Sequence, residues 1–330
     1  MARQTGSSAA RKSIKPKTFN DYWSSYSTVL IMVLIVVVFG ILQPRAFLNT
    51  RNLMKIMEQS AITILLACGE FFAILLGGID LSVGSTMALT GVLSARLLGM
   101  EWATFPTVLV GILLLGAVLG VINGGLVSVT GVHPFIITLG TQAIFRGLTV
   151  IFADSKPVAA HAFARAFGGK LFDIIPIPIL ISLLVALVLT FFTLKTKAGR
   201  NLYAIGGNKQ AAWYAGIHVK KHTMVAFVIS GMCAALAGMV NIARLASAEP
   251  NAGTGYETFA IASAIIGGTS FFGGVGLVPK VVLGGLIIGI INNGINMVGL
   301  SAYYQQICMG ALIVTAVTLD RFFGASSKKV

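Results

Sequence analysis

Long apolar runs, separated by short charged or glycine-rich breaks, set the pattern along the chain. A helix crosses about 30 Å of hydrocarbon with roughly 20 apolar residues, and the breaks mark off the crossings. Tyr22 to Pro44 is free of charge and supplies a first span, with Tyr22 and Trp23 as interface aromatics. Gln59 to Ala95 holds two spans, broken at Gly77 and Gly78. Trp102 to Phe145 carries no Asp, Glu, Lys or Arg and is divided by Gly131 to Pro134. Ile174 to Leu194 and Thr223 to Ala243 are single spans. Thr258 to Pro279 and Val281 to Leu319 give three more, divided near Phe272 to Gly276 and near Gly299 to Tyr303. The pattern predicts an all-α polytopic membrane protein with about 10 transmembrane helices. It has a basic tail over 1–24, a membrane domain over 25–322 with a cytoplasmic loop at 195–222, and a short tail over 323–330.

Composition agrees. Of 330 residues, 56% are hydrophobic and 10% charged, whereas a soluble domain carries about 25% charged residues. A soluble enzyme, a disordered chain and a disulfide scaffold are excluded. Cys68, Cys233 and Cys308 stand in apolar runs and read as packing residues. The net charge of +14 reports orientation rather than a nucleic-acid partner. With an even number of crossings and the N-terminus inside, fifteen basic residues lie in cytoplasmic segments against seven in outer loops, which places both termini in the cytoplasm. The first span has no small-residue cleavage site after it and is read as uncleaved.

Small residues recur at helix-contact spacing. Gly116, Gly120 and Gly124 form two consecutive GxxxG steps, and Gly285 pairs with Gly289; close packing within the chain is favoured over a dimer seam. A faint echo relates Gly120–Gly125 to Gly289–Gly294, and Glu70 with Gly77 and Gly78 to Glu257 with Gly267 and Gly268. It suggests a two-half internal repeat.

No P-loop, HExxH, GxSxG or GxGxxG is present, so catalysis and nucleotide binding by this chain are not expected. The cytoplasmic loop is longer than a connection requires. Asn208 can cap a helix over Lys209 to Ala215 and Gly216 can end it, leaving an amphipathic, cation-rimmed element suited to a soluble partner. Glu70 and Asp80 lie inside apolar stretches, where a carboxylate costs about 2.5–3.5 kcal/mol to insert; each reads either as a cap or partner at a broken helix or as a pathway residue. Thr138, Thr141 and Gln142 share a helix face. With Asn123, Phe135, Asn292, Asn293, Asn296, Tyr303, Tyr304 and Gln305 they suit a neutral polyol, and equally suit hydrogen bonding between helices. The outer stretch from Arg244 to Glu257 carries both signs of charge and either binds a partner or turns the chain.

Several blocks carry a resemblance. GIDLSVG at 78–84, GRNLYAIGGN at 199–208, AEP at 248–250, GTGYE at 253–257 and IGGTS at 266–270 resemble the ribose-type permeases of bacterial ATP-binding-cassette (ABC) sugar importers. Within that family GEFFAIL at 69–75, HPFIITLG at 133–140, IFRG at 144–147 and ASAIIGGTSFFGG at 262–274 are most similar to D-allose permeases. The resemblance spans about residues 25–322 and leaves out the basic tail. It implies a homodimeric inner-membrane channel that imports a monosaccharide, D-allose or ribose. An ATPase subunit would bind below, a periplasmic sugar-binding protein would dock above, and ATP would be used by the partner with no cofactor held here. Gly199, Arg200, Tyr203, Gly206, Gly207, Asn208, Ala211 and Gly216 would couple to the ATPase. Glu70, Asp80, Asn123, Phe135, Asn292, Asn293 and Tyr304 would line the pathway. Arg244 and Glu249 would meet the binding protein. The rivals are an ion-coupled sugar carrier powered through Glu70 or Asp80, a passive polyol channel, and a related importer for nucleosides or another pentose.

Overall fold

A computed structural model describes residues 19–100, 103–160 and 168–327. The first eighteen residues of the basic tail, Trp102, His161, Arg165, Lys328 and Lys329 lie outside the described residues. Within them the chain forms twelve helices: α1 (Phe19–Leu42), α2 (Thr50–Leu75), α3 (Val83–Leu98), α4 (Phe105–Thr130), α5 (Pro134–Phe152), α6 (Ile177–Lys195), α7 (Lys197–Gly207), α8 (Lys209–Tyr214), α9 (Val219–Leu245), α10 (Tyr256–Ile266), α11 (Val278–Met297) and α12 (Ala302–Ser327). Six of them, α2, α4, α5, α6, α9 and α11, are long and apolar enough to cross a membrane.

Helix α2 is the hub. It packs against α9, α11, α10 and α6, and nearly all its residues from Ser60 onward are buried. A helix apolar on every side belongs inside a bundle. By contrast α4, α5 and α6 expose Leu114, Ile144, Leu184 and Leu187, as lipid-facing helices do.

Helices α4 and α9 meet through glycine. A Cβ on Gly120 would collide with the Phe227 carbonyl, one on Gly124 would stand 2.8 Å from Met224 Cα, and one on Gly231 would collide with the Gly116 carbonyl. The stripe read from the sequence is therefore an intramolecular seam. Gly285 and Gly289 bring α11 onto α2 in the same way, against Ile64 and Ser60.

Two breaks interrupt the helices. After α2 the chain turns at Gly77 (φ +76°), and Gly77 and Gly78 donate to the carbonyls of Ile74 and Ala73, closing the helix end. The short helix α3 then starts at Val83. Similarly, α9 ends at Ala246, and residues 247–255 lead into α10. The expectation of a full span over Thr258 to Pro279 is corrected. The helix stops at Ile266 after 11 residues, about 16 Å, because Gly268, Gly273, Gly274 and Gly276 adopt positive φ and hold 267–277 in a folded loop. Non-helical backbone at membrane depth is tolerated where protein covers it.

At the end of the bundle away from α7 and α8, residues Val158–Ala159 (β1) pair with Ser247–Ala248 (β4), and Lys170–Leu171 (β2) with Ile175–Pro176 (β3). The first pairing joins the segment after α5 to the end of α9.

Candidate functional site

Three arrangements lie along the bundle. At the α7 end, Thr196 Oγ1 accepts the Gly199 N–H at 3.0 Å and starts α7. Its apolar side, Leu202 and Ile205, is buried, with Leu202 joining Phe71, Phe72 and Leu75 of α2. Gly206 permits the final approach: a Cβ there would collide with the Leu75 carbonyl and stand 2.6 Å from Gly274 N. Tyr203 Oη donates to the Gly276 carbonyl at 2.9 Å, and burial raises its phenol pKa above the ordinary value, so the group stays a donor. Helix α7 thus rests on both the end of α2 and the 267–277 loop. Asn208 Oδ1 accepts from Ala211 N at 2.9 Å and opens α8; Gly216 (φ +79°) closes it. Helix α8 presents Trp213 and Tyr214 to solvent, beside an apolar groove of about 640 Å³ walled by Val127, Val219 and the stems of Lys209 and Lys220.

At mid-depth lies a buried polar network. Glu70 Oε1 accepts the backbone N–H of Asp80 at 3.0 Å. Asp80 accepts from Ser82 N at 3.0 Å, from Ser82 Oγ at 2.6 Å and from Ser230 Oγ of α9 at 2.8 Å. Asn123 of α4 donates to Ser82 Oγ at 2.8 Å and accepts from Thr141 Oγ1 of α5 at 2.7 Å. Thr138 accepts from Leu81 N at 3.1 Å. The network ties α2, α4, α5 and α9 to the 76–82 break. Here too the first turns of α3 and α10 abut: a Cβ on Gly84 would collide with the Gly253 carbonyl and lie 2.8 Å from Glu257 Oε2. Arg146 of α5 donates to the carbonyls of Pro250 and Ala252 at 2.7 and 2.8 Å, pinning the segment that precedes α10.

Toward the opposite end, a cavity of about 300 Å³ lies between the ends of α9 and α11, the start of α12 and the middle of α2. Arg244, Asn292, Gln59 and Tyr256 are among its walls.

Comparison with known proteins decides the class. Residues 52–317 match the family described as branched-chain amino acid transport system / permease component. The chain belongs to this permease family. It is 53% identical to the D-allose transport system permease protein of Escherichia coli (strain K12), over 93% of this chain and 94% of that one. It is 41% identical to the ribose import permease protein of Bacillus subtilis (strain 168), over 92% and 94%, and 37% identical to the galactose/methyl galactoside import permease protein of E. coli (strain K12), over 91% and 94%. No solved structure matches. The protein is a multi-pass permease of the bacterial inner membrane, and its relatives are transport proteins rather than enzymes.

Of the residues expected to couple, Gly199, Tyr203 and Gly206 of α7 pack inward, against α6, the end of α2 and the 267–277 loop, whereas Arg200, Gly207, Asn208, Ala211 and Gly216 are exposed. Ala211 contributes its backbone N–H to the cap and is exposed; its neighbour Ala212 is the buried one. Arg200 is exposed and donates to the Lys195 carbonyl. Asp80 accepts from the start of α3, while Ser82, at the cap position, makes no side-chain cap bond.

The seven residues expected along the pathway are not brought together. Glu70, Asp80 and Asn123 sit in the buried network. Asn293 and Asn52 exchange amide hydrogen bonds at 3.0 Å. Phe135 and Tyr304 are exposed on the bundle's outside, and Asn292 faces the cavity. Arg244 lines that cavity too, while Glu249 Oε1 accepts from Ser247 Oγ. Ser230 and Gln59 are not singled out by the sequence as site residues, and Tyr256 enters only within the Arg244 to Glu257 stretch: a lone polar residue in a helix does not name its partner.

Proposed function

We propose that this permease is the membrane subunit of an ABC importer for a monosaccharide, D-allose or a related aldose such as ribose. A separate ATPase subunit would bind at α7 and α8, and a periplasmic sugar-binding protein would deliver cargo at the opposite end. Ten helices cross or enter the membrane, both termini lie in the cytoplasm, and two copies form the channel; the excess of basic residues at the α7 end supports the orientation. A two-half organisation is supported by α2 with α3 and α9 with α10, each a long helix, a non-helical segment and a short helix; on this pairing Glu70, in α2, does not correspond to Glu257, in α10.

The observation that carries this reading is the seating of Gly206 against Leu75 and Gly274. A push on α7 by a nucleotide-driven partner reaches the end of α2 and the 267–277 loop without an intervening side chain. The chain contributes no nucleotide chemistry or cofactor. ATP is used by the partner, and the permease converts closure of the ATPase into rocking of its helices.

The test is Gly207→Trp. Gly207 is exposed and a Cβ there meets no atom within 4 Å, so the variant inserts and folds normally while obstructing the docking face. In proteoliposomes holding permease, ATPase and binding protein, ATP-dependent sugar uptake falls to background. Normal uptake by Gly207→Trp, or accumulation by the permease alone on a proton or sodium gradient, overturns the proposal.

A further inference from the structure

We propose that the cavity between α2, α9, α11 and α12 is a weak monosaccharide subsite within one protomer, with Arg244 and Asn292 as its hydrogen-bonding anchors. The inference rests on the monosaccharide reading above and adds a place where the sugar pauses.

Size comes first. About 300 Å³ is at the small end of small-molecule sites, which run from about 300 to 1,000 Å³. It admits one pyranose or furanose ring and no larger glycan.

Unmet hydrogen bonding comes next. Arg244 Nε and Asn292 Oδ1 are both enclosed, and among the described residues neither has a hydrogen-bond partner. A buried polar atom left so is destabilising until a ligand or water meets it. One is a donor and the other an acceptor, which is the pair a hydroxyl satisfies, because it accepts and donates at once.

The remaining walls discriminate between ligand classes. Gln59, Asn296, Gln305 and Gln306 join Asn292, so five carboxamides bring acceptors in step with donors. An anion site would be built from donors alone. Arg244 is the one charged side chain among the lining residues, and among the described residues it forms no ion pair. The rings of Tyr256 and Phe259, 5.4 Å apart and tilted by 59°, give the C–H faces of a sugar an apolar surface to rest on.

The site also meets the moving parts. Its Tyr256 opens α10, which leads directly into the 267–277 loop under α7. A sugar held here bears on the same segment that the docking helix touches from the other side. Binding is expected near the millimolar range, about −4 kcal/mol, because an importer must release what it carries.

The experiment is saturation-transfer NMR on the full permease in lipid nanodiscs, without ATPase or binding protein, using D-allose as the probe. The wild type transfers saturation to the ring protons. Asn292→Ala and Arg244→Met each cut the transfer about three- to tenfold, the loss of one hydrogen bond, while Arg244→Lys retains part of it and Gly111→Leu, on α4 with nothing within 4 Å of its Cβ, leaves it unchanged. Absence of transfer in the wild type, or transfer unaffected by both substitutions, overturns the subsite. So does stronger transfer to galacturonate than to D-allose, which identifies an anion site.

Should either variant fail to fold, Asn296→Cys in a Cys308→Ser background supplies an independent measurement. Asn296 is exposed at the cavity mouth, and D-allose slows its modification by a thiol reagent; an unchanged rate overturns the proposal. Failure of the importer reading is recognised separately, because it appears as gradient-driven uptake and leaves sugar binding to the isolated permease intact.

Discussion

The backbone N–H of Gly274 donates to the carbonyl oxygen of Leu75 at 2.9 Å, joining two breaks that are far apart in the chain. Gly77 and Gly273 meet at the same place, where a Cβ on Gly273 would lie 2.9 Å from Gly77 N. The 267–277 loop is fastened on its other side by Asp320 of α12, which accepts from Ser270 Oγ at 2.9 Å and Phe271 N at 3.1 Å. One loop therefore touches the docking helix, the central helix and α12. On the proposed reading, small displacements of α7 would be transmitted because Gly206, Leu75 and Gly274 meet backbone to backbone, with the Tyr203 side chain as a second link to the loop.

Gly206→Leu tests that transmission. The added side chain has no space between Leu75 and Gly274, and overpacking of this kind costs about 1–3 kcal/mol. The helix is expected to lift from the loop rather than unfold the bundle. Uptake is lost and the thermal midpoint in detergent falls by a few degrees, whereas the exposed neighbour Gly207→Leu leaves the midpoint unchanged. Equal midpoints for the two variants refute the asymmetry.

Asp80 and Ser230 are expected to be energetically coupled. Asp80→Leu strands Ser82 N and Ser230 Oγ in a buried setting, at about 1–3 kcal/mol for each stranded group, and leaves Ser82 Oγ only its bond from Asn123; Asp80→Asn keeps an acceptor and loses less. A double-mutant cycle with Ser230→Ala, read by unfolding in detergent, returns a coupling of about 1 kcal/mol or more. Additive losses would mean that the 2.8 Å bond contributes nothing.

Much of this was legible in the sequence, and what was hidden has a common cause. Helix spans are one-dimensional signals, so hydropathy located α4, α6 and α9 within a few residues, while the polar first turns of α2, from Thr50 to Glu58, fell outside the apolar run that begins at Gln59. Capping is equally local, and Asn208 and Gly216 bounded α8 as their chemistry requires. The short α10 was misread because the apolar run continues through Ile266 and Phe272 while the glycines after it, which bend the chain, look like ordinary membrane glycines. The pathway residues were scattered for another reason. A polar side chain in an apolar helix announces that it needs a partner, but Asn293 finds Asn52, Asp80 finds Ser230 and Asn292 faces a cavity, and nothing within one helix separates these fates.

The α4–α9 seam provides a prediction for stability alone. Gly120 lies against the Phe227 carbonyl and Val228 Cα, so Gly120→Leu must push the helices apart by more than a methyl group. Because lipid supplies no hydrophobic force to hold helices together, the loss of close packing is uncompensated. The expected result is failure of the variant to survive detergent extraction as a monodisperse species, while Gly111→Leu on the same helix, with nothing within 4 Å, extracts normally. Survival of both would show that the seam is not what holds α4 in place.

Arg146 gives the last prediction. Its guanidinium spans from α5 to the carbonyls of Pro250 and Ala252, in a segment whose other regular support among the described residues is the two-residue β1–β4 pairing. Hydrogen bonds from a charged donor contribute about 1.5–3 kcal/mol, and two of them converge here. Arg146→Met keeps the length and apolar stem of the side chain but removes both bonds, so the bundle stays intact while residues 247–255 loosen. Protease added to the binding-protein side of sealed vesicles then cuts this segment at least about tenfold faster than in the wild type, the factor that 1.4 kcal/mol of local opening produces. Arg146→Lys, with one donor group that reaches a single carbonyl, falls between the two. If cleavage of Arg146→Met matches the wild type, the pairing with β1 and the contact of Gly253 with Gly84 hold the segment unaided, and the arginine acts on α5 and α10 alone.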